Sequence, residues 1–506
     1  MSDLIDLFAQ SAYNQELLEN VHPGDYENPD PADRYNLVVI GAGTAGLVTA
    51  AGAAGLGARV ALIERRFMGG DCLNYGCVPS KGIIRSARAV GELRRARELG
   101  INIQGGYEVD FQEVMDRMRK LRAQISHHDS VERFANDLGV DVFLGEAKFR
   151  DDRSIEVEGA VLNFTRAVIA TGARPSTVSV TGLEEAGYFT NETLFSMKEQ
   201  PERLAIIGAG PIGCEMAQTF QRLGTQVTLI EQSDQILRKE DSDATGILTE
   251  SFHAEGIDIR LESQVEEVSV SNGQKNLTIA NRSKIDTLTA DEILVAAGRE
   301  PNIESLQREK AGVESHKYGV VVNDRLQTTN KRIYAAGDVC LKYKFTHTAD
   351  AAARIVIQNA LFKGRSRASA LTVPWCTYTD PEIAHVGIYE QEARDQGMEV
   401  EIFRRELREV DRAVLDGETD GFVKVLVEKG SDKILGATIV ASDAGNMISE
   451  ITTAIVGGVG LKTLSKVIHP YPTQAEAIKQ TGDAYNRTRL TPVVEKLLTK
   501  WFAWTR

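Results

Sequence analysis

Cysteine is scarce in this chain, with 5 in 506 residues. A small disulfide-built secreted scaffold is therefore excluded. Positive charge is also in deficit: 58 Lys and Arg stand against 72 Asp and Glu, for a net charge of −14. A nucleic-acid binder would need a basic footprint, so no nucleic-acid partner is expected. No apolar run is long enough to span a bilayer. Residues 1–33 contain acids but no Lys or Arg, which excludes a secretory signal and a transit peptide. A reducing, cytoplasmic compartment is the expectation. There, a close cysteine pair reads as metal-binding or catalytic rather than as a structural bridge.

What is abundant is glycine, with 44 copies, several clustered after apolar runs. A chain of this length predicts two to four domains. The clusters belong to an internal repeat. Residues 34–64 and 202–231 both read as strand, glycine loop, helix and strand, and both carry G-A-G-x-x-G followed by L-G-x-x-V-x-L-I-E. The glycines are Gly41, Gly43 and Gly46 in the first copy and Gly208, Gly210 and Gly213 in the second. The copies end in Glu64 and Glu231. The first glycine makes a tight turn, the second lets the backbone approach a pyrophosphate, and the third lets the helix pack on the strand. The helix N-terminus favours phosphate, and the terminal acid can accept bonds from ribose hydroxyls. Two such copies predict two bound dinucleotides. Three later apolar runs (167–173, 292–299 and 332–339) also stop at small residues, placing Thr171, Gly172, Gly298, Arg299, Gly337 and Asp338 where strand ends leave room for a cofactor. Asp338 also reads as a helix N-cap or turn residue.

The stretch GGDCLNYGCVPSK (69–81) follows the first repeat closely and places Cys72 and Cys77 beside its dinucleotide. Zinc needs about four ligands, and no second Cys or His pair with finger-like spacing exists, so no metal site is expected. A purely structural clip would close only a tiny loop. On a regular helix, five residues rise about 7.5 Å, too far for a disulfide. The segment must therefore bend, which Gly76 eases, and a redox disulfide is the reading left.

These residues resemble the FAD-dependent pyridine-nucleotide–disulfide oxidoreductases, with mercuric-reductase-like members nearest and lipoamide dehydrogenase also similar. Gly69, Gly70, Cys72, Asn74, Gly76, Cys77, Pro79, Ser80 and Lys81 match the family's redox signature, and the ATG, AAGR-x-PN, GD and TDPE segments follow in family order. The resemblance implies an α/β fold with two Rossmann-like domains, one for FAD and one for NAD(P), and a C-terminal α+β dimerisation domain. It implies FAD on the first repeat and NAD(P)H on the second. Gly70 and the strand-end residues would line these cofactors. Cys77 would be the thiol over the flavin and Cys72 the thiol that meets substrate, with Lys81 near the flavin and paired with Glu215. Electrons would pass from NAD(P)H through FAD to the disulfide and on to a small-molecule or metal-ion acceptor. Glu231 favours a free 2′-hydroxyl, hence NADH, although Arg238 aligns with an arginine of NADPH-using relatives.

The implied domains are 1–33 (acidic extension), 34–182 and 301–369 (FAD-binding), 183–300 (NAD(P)-binding), 370–490 (interface) and 491–506 (tail). The interface domain implies a homodimer. Its segment HPYPTQAE (469–476) puts Tyr471 where lipoamide dehydrogenase has its proton-handling His, with Glu476 in place and His469 two residues earlier. Tyr is a poor proton shuttle at neutral pH, and mercuric reductases carry Tyr here. Those enzymes also carry a cysteine pair near the C-terminus, whereas the last cysteine here is Cys376. Cys214, Cys340 and Cys376 read as packed small hydrophobes. The alternatives are a dihydrolipoamide dehydrogenase, or a flavin-bound, membrane-docked sensor or adaptor with little turnover. In the tail, Thr491 and Pro492 start a helix on which Val494, Leu497, Leu498 and Trp501 share a face. It reads either as a helix packed on the dimer or as an interfacial membrane anchor. The acidic leader reads as partly disordered, with a short helix near 4–19.

Overall fold

A computed structural model describes residues 11–282 and 284–506. One compact unit runs to Gln232 and resumes over Asp258–Leu371; a second comprises Ser233–Ile257 and Thr372–Arg506.

In the first unit, β1 (Tyr35–Ile40), β2 (Val60–Glu64), β3 (Asp141–Leu144) and β4 (Ala160–Ile169) form the parallel heart of a seven-stranded sheet in the order β3-β2-β1-β4. Val39 pairs with Leu62 on one side and Val168 on the other. These strands read as continuous apolar runs because helices cover both faces. The leader supplies the first helix of the chain, and the segment after β1 supplies the second. Accordingly, α1 is Ala12–Val21 and α2 is Thr44–Gly55, a run of small residues. Two further helices, α3 (Gly70–Asn74) and α4 (Cys77–Arg95), carry the cysteines, and α5 (Phe111–Ser126) packs beside α4. The second repeat builds its own four-stranded parallel sheet, in which β5 (Arg203–Ile207) pairs with β6 (Gln226–Ile230), joined through α6 (Pro211–Leu223). α7 (Thr346–Phe362) then returns to pack on α2.

The short helix expected in the leader is present at Ala12–Val21. Ser11 caps α1, and Leu17 and Val21 lie buried in the core with Leu37 and Val131. An apolar i, i+4 pair was enough to anchor one short helix in a polar segment. Beyond it, Asn28 pairs with both backbone groups of Leu144, at 2.9 and 2.7 Å. Residues 4–10 of the expected helix lie outside the described residues.

The second unit is a five-stranded antiparallel sheet with the helices α8 (Ala444–Gly457) and α9 (Glu476–Thr488) against it. Ser233–Ile257, which follows the second repeat in the chain, is held in this unit. Trp375 Nε1 and Tyr389 Oη both donate to the buried Glu240, at 2.7 and 2.5 Å. The last helix, α10 (Pro492–Thr505), is capped by Thr491 and has no buried residue.

Candidate functional site

The two glycine loops use the same geometry. Gly41 and Gly208 turn the chain at φ +100° and +103°, conformations open to glycine. A Cβ on Gly46 would lie 1.7 Å from the Gly41 carbonyl oxygen, and one on Gly213 would lie 1.9 Å from that of Gly208. The third glycine therefore lets the helix close over its own loop, as well as approach the strand. In both copies the terminal acid accepts the loop's next backbone N–H: Ala42 to Glu64 at 2.6 Å and Ala209 to Glu231 at 2.8 Å. Burial pushes the Glu64 carboxyl up, against the lowering N–H groups of Ala42 and Arg66.

Gly43 and Gly210 are the N-caps of α2 and α6, and neither supplies a side-chain cap. The first-turn N–H groups thus point to an anion. Among the described residues, a Cβ on Gly210 would meet no atom within 4 Å, so the backbone itself forms the wall. Gly43 instead faces Gly70, whose added Cβ would come 2.5 Å from the Gly43 Cα. This backbone-to-backbone contact brings the cysteine segment against the first glycine loop.

At that segment the helix breaks. α3 ends at Asn74, α4 starts at Cys77, and Tyr75–Gly76 turn the chain between them. The break brings the two thiols close enough to influence each other's ionisation. The hydrogen bond to Cys77 and burial both push Cys72 up. Cys77 is held below the ordinary thiol range, first by the bond from Cys72, then by the Lys81 charge and Thr346, against the effect of burial. Thr346 Oγ1, at the start of α7, lies 3.6 Å from the Cys77 sulfur. Lys81 Nζ is 2.8 Å from the Glu215 carboxylate on α6, and Glu215 is buried. The Lys81 charge beside Cys77 thus favours thiolate at that sulfur. A groove of about 370 Å³ opens on Cys77 and Lys81, walled by Arg117, Leu121 and Ile125.

The strand-end residues form a second cluster. Thr171 donates to the Asn302 carbonyl at 2.6 Å and accepts from its side chain at 2.9 Å, while the Asn302 N–H reaches Gly172. Gly298 leads into Arg299, whose guanidinium lies 3.1 Å from Asp71 and 3.7 Å from Asp338. Burial opposes that cation, but the two carboxylates outweigh it. Arg299 Nε is buried and finds no hydrogen-bond partner among the described residues. Gly337 starts a short turn with Asp338, and burial raises the Asp338 pKa. These polar atoms, with the two glycine loops, fit ribose and phosphate groups of dinucleotides.

In the second unit Tyr471 is 70 % exposed, and its hydroxyl donates to Asp411 at 2.8 Å. That bond, and then the Asp411 and Glu476 charges, raise its pKa. Glu476 starts α9, and His469 pairs with Glu450 at 2.9 Å. Cys214 is buried, while Cys340 and Cys376 are half-buried beside the cores of their units. Among the described residues, no group of three or more His, Cys, Asp or Glu is placed to hold a metal ion, and no helix is long and apolar enough to cross a membrane.

Sequence reasoning missed several neighbours of the site. Asp71 sits inside the cysteine motif and Asn302 inside AAGR-x-PN, so both were in view as letters. Nothing in the sequence marks Thr346 or the buried Arg122.

Comparison with known proteins agrees with this geometry. The family model described as "Pyridine nucleotide-disulphide oxidoreductase" matches residues 35–353, and that for its dimerisation domain matches 373–481. A mercuric reductase of Lysinibacillus sphaericus is 35% identical over 456 residues, covering 90% of this chain and 83% of that one. A dihydrolipoyl dehydrogenase of Chlamydia muridarum is 32% identical, covering 88% and 95%. Among solved structures, the HOCl-induced flavoprotein disulfide reductase RclA from Escherichia coli superposes with a TM-score of 0.79 at 28% identity, covering 89% of this chain and 99% of that one. With the family's redox and dimerisation domains both matched, this chain belongs to the FAD-dependent, NAD(P)H-using pyridine nucleotide-disulphide oxidoreductases.

Proposed function

We propose that this protein uses NADH to reduce a thiol/disulfide or metal-ion acceptor, in the manner of mercuric-reductase-like members of its family. The observation that carries the reading is the cysteine pair set on either side of the Tyr75–Gly76 break, with the Lys81–Glu215 ion pair beside Cys77. Bound flavin supplies two-electron transfer between nicotinamide and sulfur. Gly41, Gly43, Gly46, Glu64, Gly70, Thr171, Gly172, Gly337 and Asp338 would hold it. Gly208, Gly210, Gly213, Glu231, Gly298 and Arg299 would serve the nicotinamide nucleotide. Glu231, as an acceptor at the end of β6, suits a 2′-hydroxyl and repels a 2′-phosphate. Cys77 faces the flavin as thiolate, and Cys72 meets the acceptor, a soft ligand suited to sulfur or a soft metal ion.

Tyr471 and Glu476 complete the site in the homodimer that the dimerisation domain supports. Asp411 raises the Tyr471 pKa, so this hydroxyl donates a hydrogen bond at neutral pH and does not shuttle a proton. Dihydrolipoamide is therefore a poor substrate. A panel of Hg(II), lipoamide, glutathione disulfide and quinones, each run with NADH and NADPH, tests this reading. Lipoamide turnover comparable to the best acceptor would overturn it.

The tail supports a further partner, an anionic bilayer surface. Val493, Leu497, Trp501, Phe502 and Trp504 are each more than half exposed on α10. Lys496, Lys500 and Arg506 outnumber Glu495 in a chain whose net charge is −14. This pairing of an apolar face with basic residues suits a lipid interface. Removal of 491–506 should abolish co-sedimentation with phosphatidylserine vesicles. A change in subunit assembly instead would assign the helix to the partner subunit.

A further inference from the structure

The leader helix makes a connection that the reaction, as described, does not use. Arg122 on α5 is 1 % exposed. Its Nη1 donates to the Asn74 carbonyl at 2.7 Å, and its Nη2 donates to the Asn14 side-chain oxygen at 2.9 Å. Asn74 is the last residue of α3, two residues after Cys72 and three before Cys77. Its side chain is buried too and ties back to the Met68 and Gly70 carbonyls, at 3.0 and 2.8 Å. The far end of α1 reaches the same stretch, where the Met68 N–H donates to the Val21 carbonyl at 3.0 Å.

The last carbonyls of a helix have no partner within it. A cation is favoured at that end. Arg122 thus satisfies the carbonyl at the break that sets the two sulfurs side by side. A buried guanidinium in turn needs acceptors, because an uncompensated charge in the interior is costly. Asn14 supplies the second one.

We propose that α1 is a positioning element for the redox pair, with Asn14 acting through Arg122 to hold the Asn74 carbonyl and so fix the Cys72–Cys77 geometry. The proposal rests on the reading of these cysteines as a redox dithiol. It needs no contact between the leader and substrate or cofactor. The leader has other bonds to the end of α5 and to His127 just after it that bypass the cysteines, and these provide the control. Asn20 Nδ2 donates to Ser126 at 2.9 Å, and Glu16 meets His127 at 3.0 Å.

The test uses full-length, flavin-loaded protein and three variants: Asn14→Leu, which removes the acceptor; Asn14→Asp, which keeps one; and Asn20→Ala, which loosens the leader elsewhere. Two readouts apply. One is the pH midpoint of the long-wavelength thiolate–flavin absorption after two-electron reduction. The other is the rate at which iodoacetamide alkylates Cys72. Asn14→Leu should move the midpoint by about half a pH unit or more and change the alkylation rate roughly threefold or more. Asn14→Asp and Asn20→Ala should match the parent. If Asn14→Leu does not fold, Asn14→Ser, which pulls the acceptor back, is read the same way. Equal shifts in the Asn14→Leu and Asn20→Ala proteins would reduce the leader to general stabilisation and overturn the proposal, as would no shift in either. If the parent protein itself shows no such absorption, the dithiol reading fails first, and the alkylation rates judge the leader separately.

Discussion

The loops at Gly41–Gly46 and Gly208–Gly213 turn at φ angles three degrees apart, and both send a backbone N–H to a glutamate 22 residues on. They differ in what lies beside the second glycine. Gly43 is closed over by Gly70 from the cysteine segment, whereas Gly210 has no atom of the described residues near its missing side chain. Glu64 is buried and Glu231 is half-buried. The chain after β2 runs directly into the cysteines, whereas after β6 it leaves for the second unit. The same local chemistry thus yields an enclosed loop, which the proposed function gives to the flavin, and an open one, which it gives to the nicotinamide nucleotide. Neighbours, rather than the motif, make that difference.

Alanine at the third glycine should separate the two most sharply. Gly46→Ala drives a methyl into the Gly41 carbonyl beneath the enclosed site, and the expected result is little soluble, flavin-containing protein on purification. Gly213→Ala should remain yellow, with flavin reduction by NADH slowed roughly 100-fold in stopped flow, because a misplaced donor costs about that much. Next come the acids. Glu231→Gln should raise the KM for NADH about tenfold with kcat little changed, the worth of one charge-assisted hydrogen bond. Glu64→Gln should instead weaken flavin retention, seen by release on gel filtration.

A smaller effect is expected at Lys81, which bridges the cysteine segment to the second repeat. Lys81→Met removes a positive neighbour that lowers the Cys77 pKa. The thiolate is then less favoured, so on acidification its flavin absorption should fade at higher pH than in the parent, by about one unit. The smallest effect is on stability at Gly210. With open space for its Cβ and an ordinary φ of −74°, Gly210→Ala should leave the melting free energy within about 0.5 kcal/mol. Binding of NADH, measured by calorimetry, should weaken all the same. A matching loss of stability would mean that the second loop is as closed as the first.

Much of this was readable as text. The repeat showed because glycine at a positive φ or at a carbonyl contact allows no substitute, so the letters recur with the geometry. The bend at Gly76 followed from helix rise and sulfur reach alone. Other features were hidden for physical reasons. Arg122 lies in a helix whose charges suggest a solvated face, and its burial depends on acceptors 48 and 108 residues away. Asn14 and Leu17 sit in an acidic, proline-containing leader whose average composition suggests disorder. Thr346 meets Cys77 only because α7 returns after the whole second repeat. Glu240 follows a Rossmann repeat in the chain but is buried under Trp375 and Tyr389 of the second unit.

The central claim is that Cys72 and Cys77 form one reversible redox pair, with Cys77 the thiolate at the flavin. Anaerobic titration of the holoenzyme with NADH tests it most directly. The account predicts uptake of two electron pairs per subunit, with a long-wavelength absorption after the first; Cys72→Ser, which has no disulfide to reduce, should show that absorption before titration and lose it with a single pair, and Cys77→Ser should lack it throughout. Uptake of a single pair, or an absorption untouched by Cys77→Ser, would contradict it.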